Sequence, residues 1–123
     1  MIFVTSLQTA PTSLTLETVN DIAHNTGLPL MVRKQAYLCL GSLLSNEHLD
    51  AQLADHYVSA LRAELQSAAP DVEKQLLLLR ALGNAGSRVS VAWIEPYAQD
   101  TNEALSSAAR DILTVLDTLS SYI

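Results

Sequence analysis

His48 and His56 stand eight residues apart among Glu47, Asp50 and Asp55, a grouping that makes metal binding the first chemical question. Zinc ligands on one helix recur at spacings of three to five residues, with partners that orient them. Eight residues instead separate the two imidazoles by about 12 Å of helical rise. The grouping therefore reads as solvated side chains on a helix face, and no metal site is expected. His24, near the end of an earlier helix, reads as a residue favoured by the C-terminal dipole.

A second candidate lies in residues 76–86, LLLLRALGNAG. Gly83-Asn84-Ala85-Gly86 matches neither G-x-G-x-x-G nor the P-loop pattern, and it follows a helical segment where those motifs need a strand. The expectation is a structural turn formed by Gly83, Asn84, Ala85 and Gly86, in which the two glycines close off the carbonyls of a buried helix.

Nucleophilic chemistry has no foothold. No G-x-S-x-G elbow occurs, and the single cysteine, Cys39, lies in the apolar run Tyr37-Leu38-Cys39-Leu40, where a thiol is expected to be buried and inert. Carboxylate pairs such as Glu17/Asp21 and Asp71/Glu73 fall on exposed faces or in first helical turns. The chain is accordingly read as non-enzymatic and without a cofactor. Trp93, Ile94 and Tyr97 form an aromatic-aliphatic group that reads either as an apolar contact surface for lipid or partner, or as packing at a helix end.

The elements that must position these residues are helical. Of 123 residues, 49% are hydrophobic but only 5% aromatic, so the apolar content is mainly Leu and Ala, both strong helix formers. Leu14, Leu16, Val19, Ile22 and Ala23 predict a helix over about 13–25, with Ser13 as cap and Gly27 as a left-handed stop. Pro29 suits the first turn of a helix over 30–44. That helix is apolar around most of its circumference, so it is expected to be covered on both sides. Leu49, Leu53, Tyr57, Leu61 and Leu65 repeat every four residues, a stripe that drifts about 40° per repeat and suits an oblique crossing. Pro70 opens the helix carrying Val72 and Leu76 to Leu79. A short helix with Val89, Val91 and Trp93 is kinked or closed by Pro96. A last one from Asn102 to about Ser120 carries Leu105, Ala109, Ile112 and Leu116.

An amphipathic helix followed by a richer apolar one thus occurs three times, in pairs over about 13–44, 48–84 and 88–120. Helix pairs of about 40 residues mark an all-α, right-handed α-solenoid of the HEAT or armadillo kind. Residues 1–123 form one helical-repeat domain. Neither end carries the polar face of a cap: residues 2–7 read as the tail of an earlier helix and the last eight residues stay apolar, so the chain is expected to be part of a longer superhelix.

Charge excludes some partners. Thirteen acidic residues against seven basic ones give a net charge of −6, and Arg33-Lys34 is the only adjacent basic pair, which disfavours nucleic acid. No segment approaches the ~20 apolar residues of a membrane span. The first twelve residues lack a signal-peptide pattern, and no Asn-x-Ser/Thr acceptor occurs.

Leu82-Gly83-Asn84-Ala85-Gly86, followed by a short apolar helix and Glu95-Pro96-Tyr97, resembles the turn of the vitellogenin and large lipid transfer protein family, which includes apolipoprotein B, apolipophorins and microsomal triglyceride transfer protein. Ala36-Tyr37-Leu38-Cys39-Leu40-Gly41 resembles that family's preceding repeat, and Thr9-Ala10-Pro11-Thr12 the proline-threonine turn before it. The resemblance implies the later part of a helical superhelix: a non-catalytic scaffold that supports lipid transport and protein contacts. Lipid would be held only together with β-sheet domains that this chain does not contain, and the setting would be the secretory pathway or extracellular space. The alternative is a HEAT-like adaptor that binds a protein partner and has no lipid role.

Overall fold

A computed structural model describes residues 13–46, 48–86 and 90–121, with side chains through residue 117. Among these residues the chain is all-helical. Its elements are α1 (Ser13–His24), α2 (Leu30–Leu44), α3 (Ala51–Ser67), α4 (Val72–Ala85), α5 (Ser90–Ala98) and α6 (Glu103–Ser121). The readings made at residues 2–7 and 9–12, at Glu47 and Val89, and for the apolar carboxy-terminal stretch beyond residue 117 lie outside the described side chains.

Helix starts follow local hydrogen-bonding chemistry. Asp50 and Asp71 accept the backbone N–H of Leu53 and Lys74, each at 3.2 Å, and Asn102 accepts that of Leu105 at 3.1 Å. Each of these carboxylates or amides satisfies a donor that has no partner inside its helix. Pro70, joined to Ala69 by a cis peptide bond, precedes this cap, so α4 opens at Val72 and not at the proline. Pro96 lies inside the last turn of α5, where the helix ends two residues later.

Packing follows the solenoid pattern. The helices of each successive pair, α1 with α2, α3 with α4 and α5 with α6, pack together, and the second helices form a continuous layer in which α4 touches both α2 and α6. The central position of α4 buries Leu78, Leu79, Ala81 and Leu82 without exposed surface, while Leu76 and Leu77 at the start of the LLLL run stay half-buried. Burying each leucine is worth about 1.5–3 kcal/mol, and Leu16, Leu40, Leu61, Leu65, Ile94 and Leu105 complete the core around them.

Two close approaches fix the second-helix layer. A Cβ placed on Gly41 would lie 2.3 Å from the Ala81 carbonyl oxygen, so α2 and α4 meet backbone to backbone. At Gly83 a Cβ would lie 3.0 Å from the Ile112 side chain, which brings α4 against α6.

Several expectations are corrected by these contacts. Gly83, Asn84 and Ala85 are helical, and only Gly86, at φ 69°, adopts the left-handed conformation that ends α4. The turn is therefore one residue long, and Gly83 is small because a neighbouring helix is close. Gly27 is not left-handed either; its N–H donates to the Asn25 side chain at 2.9 Å, and that Asx turn finishes α1. Helix α2 is covered on two sides, by α1 and α4, as expected, and buries Ala36, Tyr37, Leu40, Gly41 and Leu44, but Leu30, Met31 and Val32 in its first turn are 52%, 67% and 42% exposed. Cys39 points away from that buried face and is exposed, not a core thiol.

Candidate functional site

The polar centre of the molecule lies where α1, α2 and α3 converge. The end of α1 carries His24, the middle of α2 carries Tyr37 and the last turn of α3 carries Glu64. The His24 ring has Nδ1 2.8 Å from the Asn20 carbonyl and Nε2 2.5 Å from Glu64 Oε1. Tyr37 donates its hydroxyl hydrogen to Glu64 Oε2 at 2.7 Å, and its ring meets the imidazole edge-on with centroids 5.3 Å apart.

This geometry selects a protonation state. A carbonyl and a carboxylate both accept, so each imidazole nitrogen has to donate, which only the imidazolium does. Burial of the ring opposes protonation, but the hydrogen bonds to Asn20 and Glu64, with the Glu64 charge, outweigh it and raise the His24 pKa above 6.5 despite the repulsion of Lys74. Burial, then the bond to Glu64, holds the Tyr37 phenol well above the ordinary tyrosine range. Every donor in the cluster is directed at an acceptor within the fold, so its chemistry is that of a clasp between three helices.

A cleft of about 290 Å³ opens beside the clasp. Ala23, Leu30 and Leu77 supply its apolar surface, and Arg33, Lys34 and Lys74, with Asp71 and Glu73, its charge. The Nε of Arg33 is buried and has no hydrogen-bond partner among the described residues.

The residues singled out in the sequence are dispersed. Ile94 is fully buried in the core and cannot belong to a contact surface. Trp93 and Tyr97 are half-buried beside it, and the guanidinium of Arg62 on α3 lies 4.6 Å from the Trp93 ring centroid, a cation–π contact that ties α3 to α5. Together they line a cleft of about 270 Å³. Asn84 faces outward and donates to the Leu38 carbonyl at 3.4 Å. His48 and His56 are both exposed. No group of three His, Cys, Asp or Glu side chains able to hold a metal occurs among the described residues. The clasp itself escaped sequence reasoning, because its members are separated by 13, 27 and 40 residues and no local spacing joins them.

Comparison with known families decides the relationship of the chain. The family model of the vitellogenin TPR domain matches residues 2–122. The chain belongs to that family. No curated protein and no solved structure gave a significant match. Membership agrees with the resemblance carried by the Gly83–Gly86 region and with a helical-repeat architecture, and no helix among the described residues is long and apolar enough to cross a membrane.

Proposed function

We propose that this vitellogenin TPR domain is a non-catalytic scaffold in a vitellogenin-like lipid-transport protein of the secretory pathway or extracellular space, where it supports lipid-bearing β-sheet regions and makes protein contacts. The observation that carries the reading is family membership across residues 2–122. The distribution of apolar surface supports the division of labour. The core leucines face one another between helices, and the described clefts hold between about 160 and 290 Å³, at or below the lower end of the ~300–1,000 Å³ typical of small-ligand sites. A lipid with extended acyl chains needs a wider apolar surface than these helices offer, so lipid is held by partner regions and this domain braces them.

The test is lipid extraction and mass spectrometry on the purified chain, alone and after affinity recovery from a lipoprotein fraction. The expected result is no stoichiometric lipid on the chain alone and lipid together with a β-rich partner in the recovered complex. Recovery of a defined partner free of lipid would overturn this reading in favour of a HEAT-like adaptor.

A further inference from the structure

Charge in this acidic chain is uneven between its two helix layers, the second helices holding Arg33, Lys34, Lys74, Arg80 and Arg110 against Glu73, Glu103, Asp111 and Asp117. The first helices, α1, α3 and α5, carry Glu17, Asp21, Asp55, Glu64 and Glu95 against Arg62 alone. By contrast, four of the seven Lys and Arg residues, Arg33, Lys34, Lys74 and Arg80, line two clefts between α2 and α4. The cleft of about 290 Å³ beside the clasp shares Lys34, Glu73 and Leu77 with a second of about 160 Å³ that adds Leu76 and Arg80. Arg80 in turn borders a third, about 190 Å³, between α4 and α6, next to Val115, which is 54% exposed.

The three clefts therefore form one track with leucine and valine in its floor and cations along its edge. None of the four cations lies within ion-pair distance of a carboxylate among the described residues, where the only such pair is His24 with Glu64. Three acids also line the track, Asp71 and Glu73 near its start and Asp111 beside Arg80 in the third cleft. Asp71 is engaged as the cap of α4, accepting the Lys74 N–H, and Glu73 sits in the first turn of that helix. The cations outnumber them, and the buried Arg33 Nε still lacks an acceptor.

We propose that this track docks an acidic amphipathic segment of a partner polypeptide, its apolar side chains on Leu30, Leu76 and Leu77 and its carboxylates on Arg33, Lys34, Lys74 and Arg80. Charge complementarity selects the sign of the partner, and an apolar floor with a charged edge is the surface that receives one face of a helix. A polypeptide fits better than a bilayer, because Leu76 and Leu77 are half-buried between helices, and better than nucleic acid, because the chain as a whole is at −6. The inference deepens the protein-contact role proposed above and rests on that reading.

The test is fluorescence anisotropy with the full chain and a labelled peptide that places Leu at i, i+3, i+4 and i+7 with Glu between. Peptides with Lys in place of Glu, or with the leucines scrambled, serve as controls. The expected result is saturable binding of the acidic peptide only, weakened about tenfold when salt is raised from about 50 to about 300 mM, because exposed charge pairs are screened. Lys34→Glu/Lys74→Glu/Arg80→Glu should abolish binding with the helical circular dichroism unchanged. Should that variant fail to fold, Lys34→Gln/Lys74→Gln should still weaken it about tenfold. Absent binding, equal binding of all peptides, or preference for vesicles of anionic phospholipid would overturn the proposal. So would concentration-dependent self-association that the charge reversals abolish, since the track would then receive a second copy. If the peptide does not bind yet lipid still co-purifies with a β-rich partner, the docking inference fails alone and the scaffold reading stands.

Discussion

The seam between α2 and α4 and the corner where α1, α2 and α3 meet hold the same solenoid by opposite means. At the seam, Gly41 lets the α2 backbone approach the Ala81 carbonyl, a contact between backbones. At the corner, His24, Tyr37 and Glu64 join three helices through hydrogen bonds on side chains that keep some access to water, His24 at 42% and Glu64 at 22% exposure. The seam tolerates no added atom because backbone cannot turn aside, whereas the corner tolerates substitution because side chains and water can replace one another. Rigidity is thereby concentrated in the second-helix layer and adjustability at the junction with the first.

The sharpest way to break this contrast is at the glycines. Gly41→Ala should destabilise the chain by about 3 kcal/mol or more, since its Cβ has to displace backbone, whereas Gly83→Ala should cost about 1 kcal/mol or less because Ile112 can rotate away. Urea denaturation of the two variants checks this, and equal losses would mean that the α2–α4 approach is not special. Gly86→Ala comes next, at about 1–2 kcal/mol for forcing a side chain into the left-handed region at the end of α4. An unchanged midpoint would show that the end of α4 relaxes freely.

The corner should yield less. Glu64→Gln keeps the shape but removes the charge that both donors share, and should cost about 1 kcal/mol while lowering the His24 pKa followed by NMR. A His24 titration indifferent to this change would dissolve the clasp. The smallest effect concerns pH. The folded His24 pKa is raised above the ordinary 6.5, so the folded state binds the proton more tightly than the unfolded one. The stabilisation is fully present below about pH 6.5 and is lost as pH rises through the folded value. Partial exposure keeps it modest. Thermal melts across that range should therefore show the native chain gaining stability on the acid side relative to His24→Gln, and parallel curves would remove His24 from the account.

Local patterns carried most of the fold. The periodic leucines, the short breaks at Asn25-Thr26-Gly27 and Ser45-Asn46 and the recurrence of helix pairs are properties of neighbouring residues, and helix formation responds to neighbours. The same locality explains the errors. Gly83 and Gly86 look alike in a string, yet one meets Ile112 and the other turns the chain. Cys39 sits in an apolar run, but the run is longer than the face that α1 and α4 cover. Trp93 and Ile94 are adjacent, and a helix sends adjacent side chains about 100° apart, so one borders a cleft while the other enters the core.

By itself, then, the sequence determined an all-helical chain of repeated pairs, its acidic balance and, through the region around Gly83 to Gly86, its kinship with the vitellogenin family. Tertiary structure alone decided which glycine is a turn and which a contact, gathered His24, Tyr37 and Glu64 into a clasp, and brought Arg33, Lys34, Lys74 and Arg80 to one track. The physical reason is that helical periodicity arises between residues a few positions apart, whereas charge clustering and backbone contact arise between helices whose facing residues lie tens of positions apart in the chain.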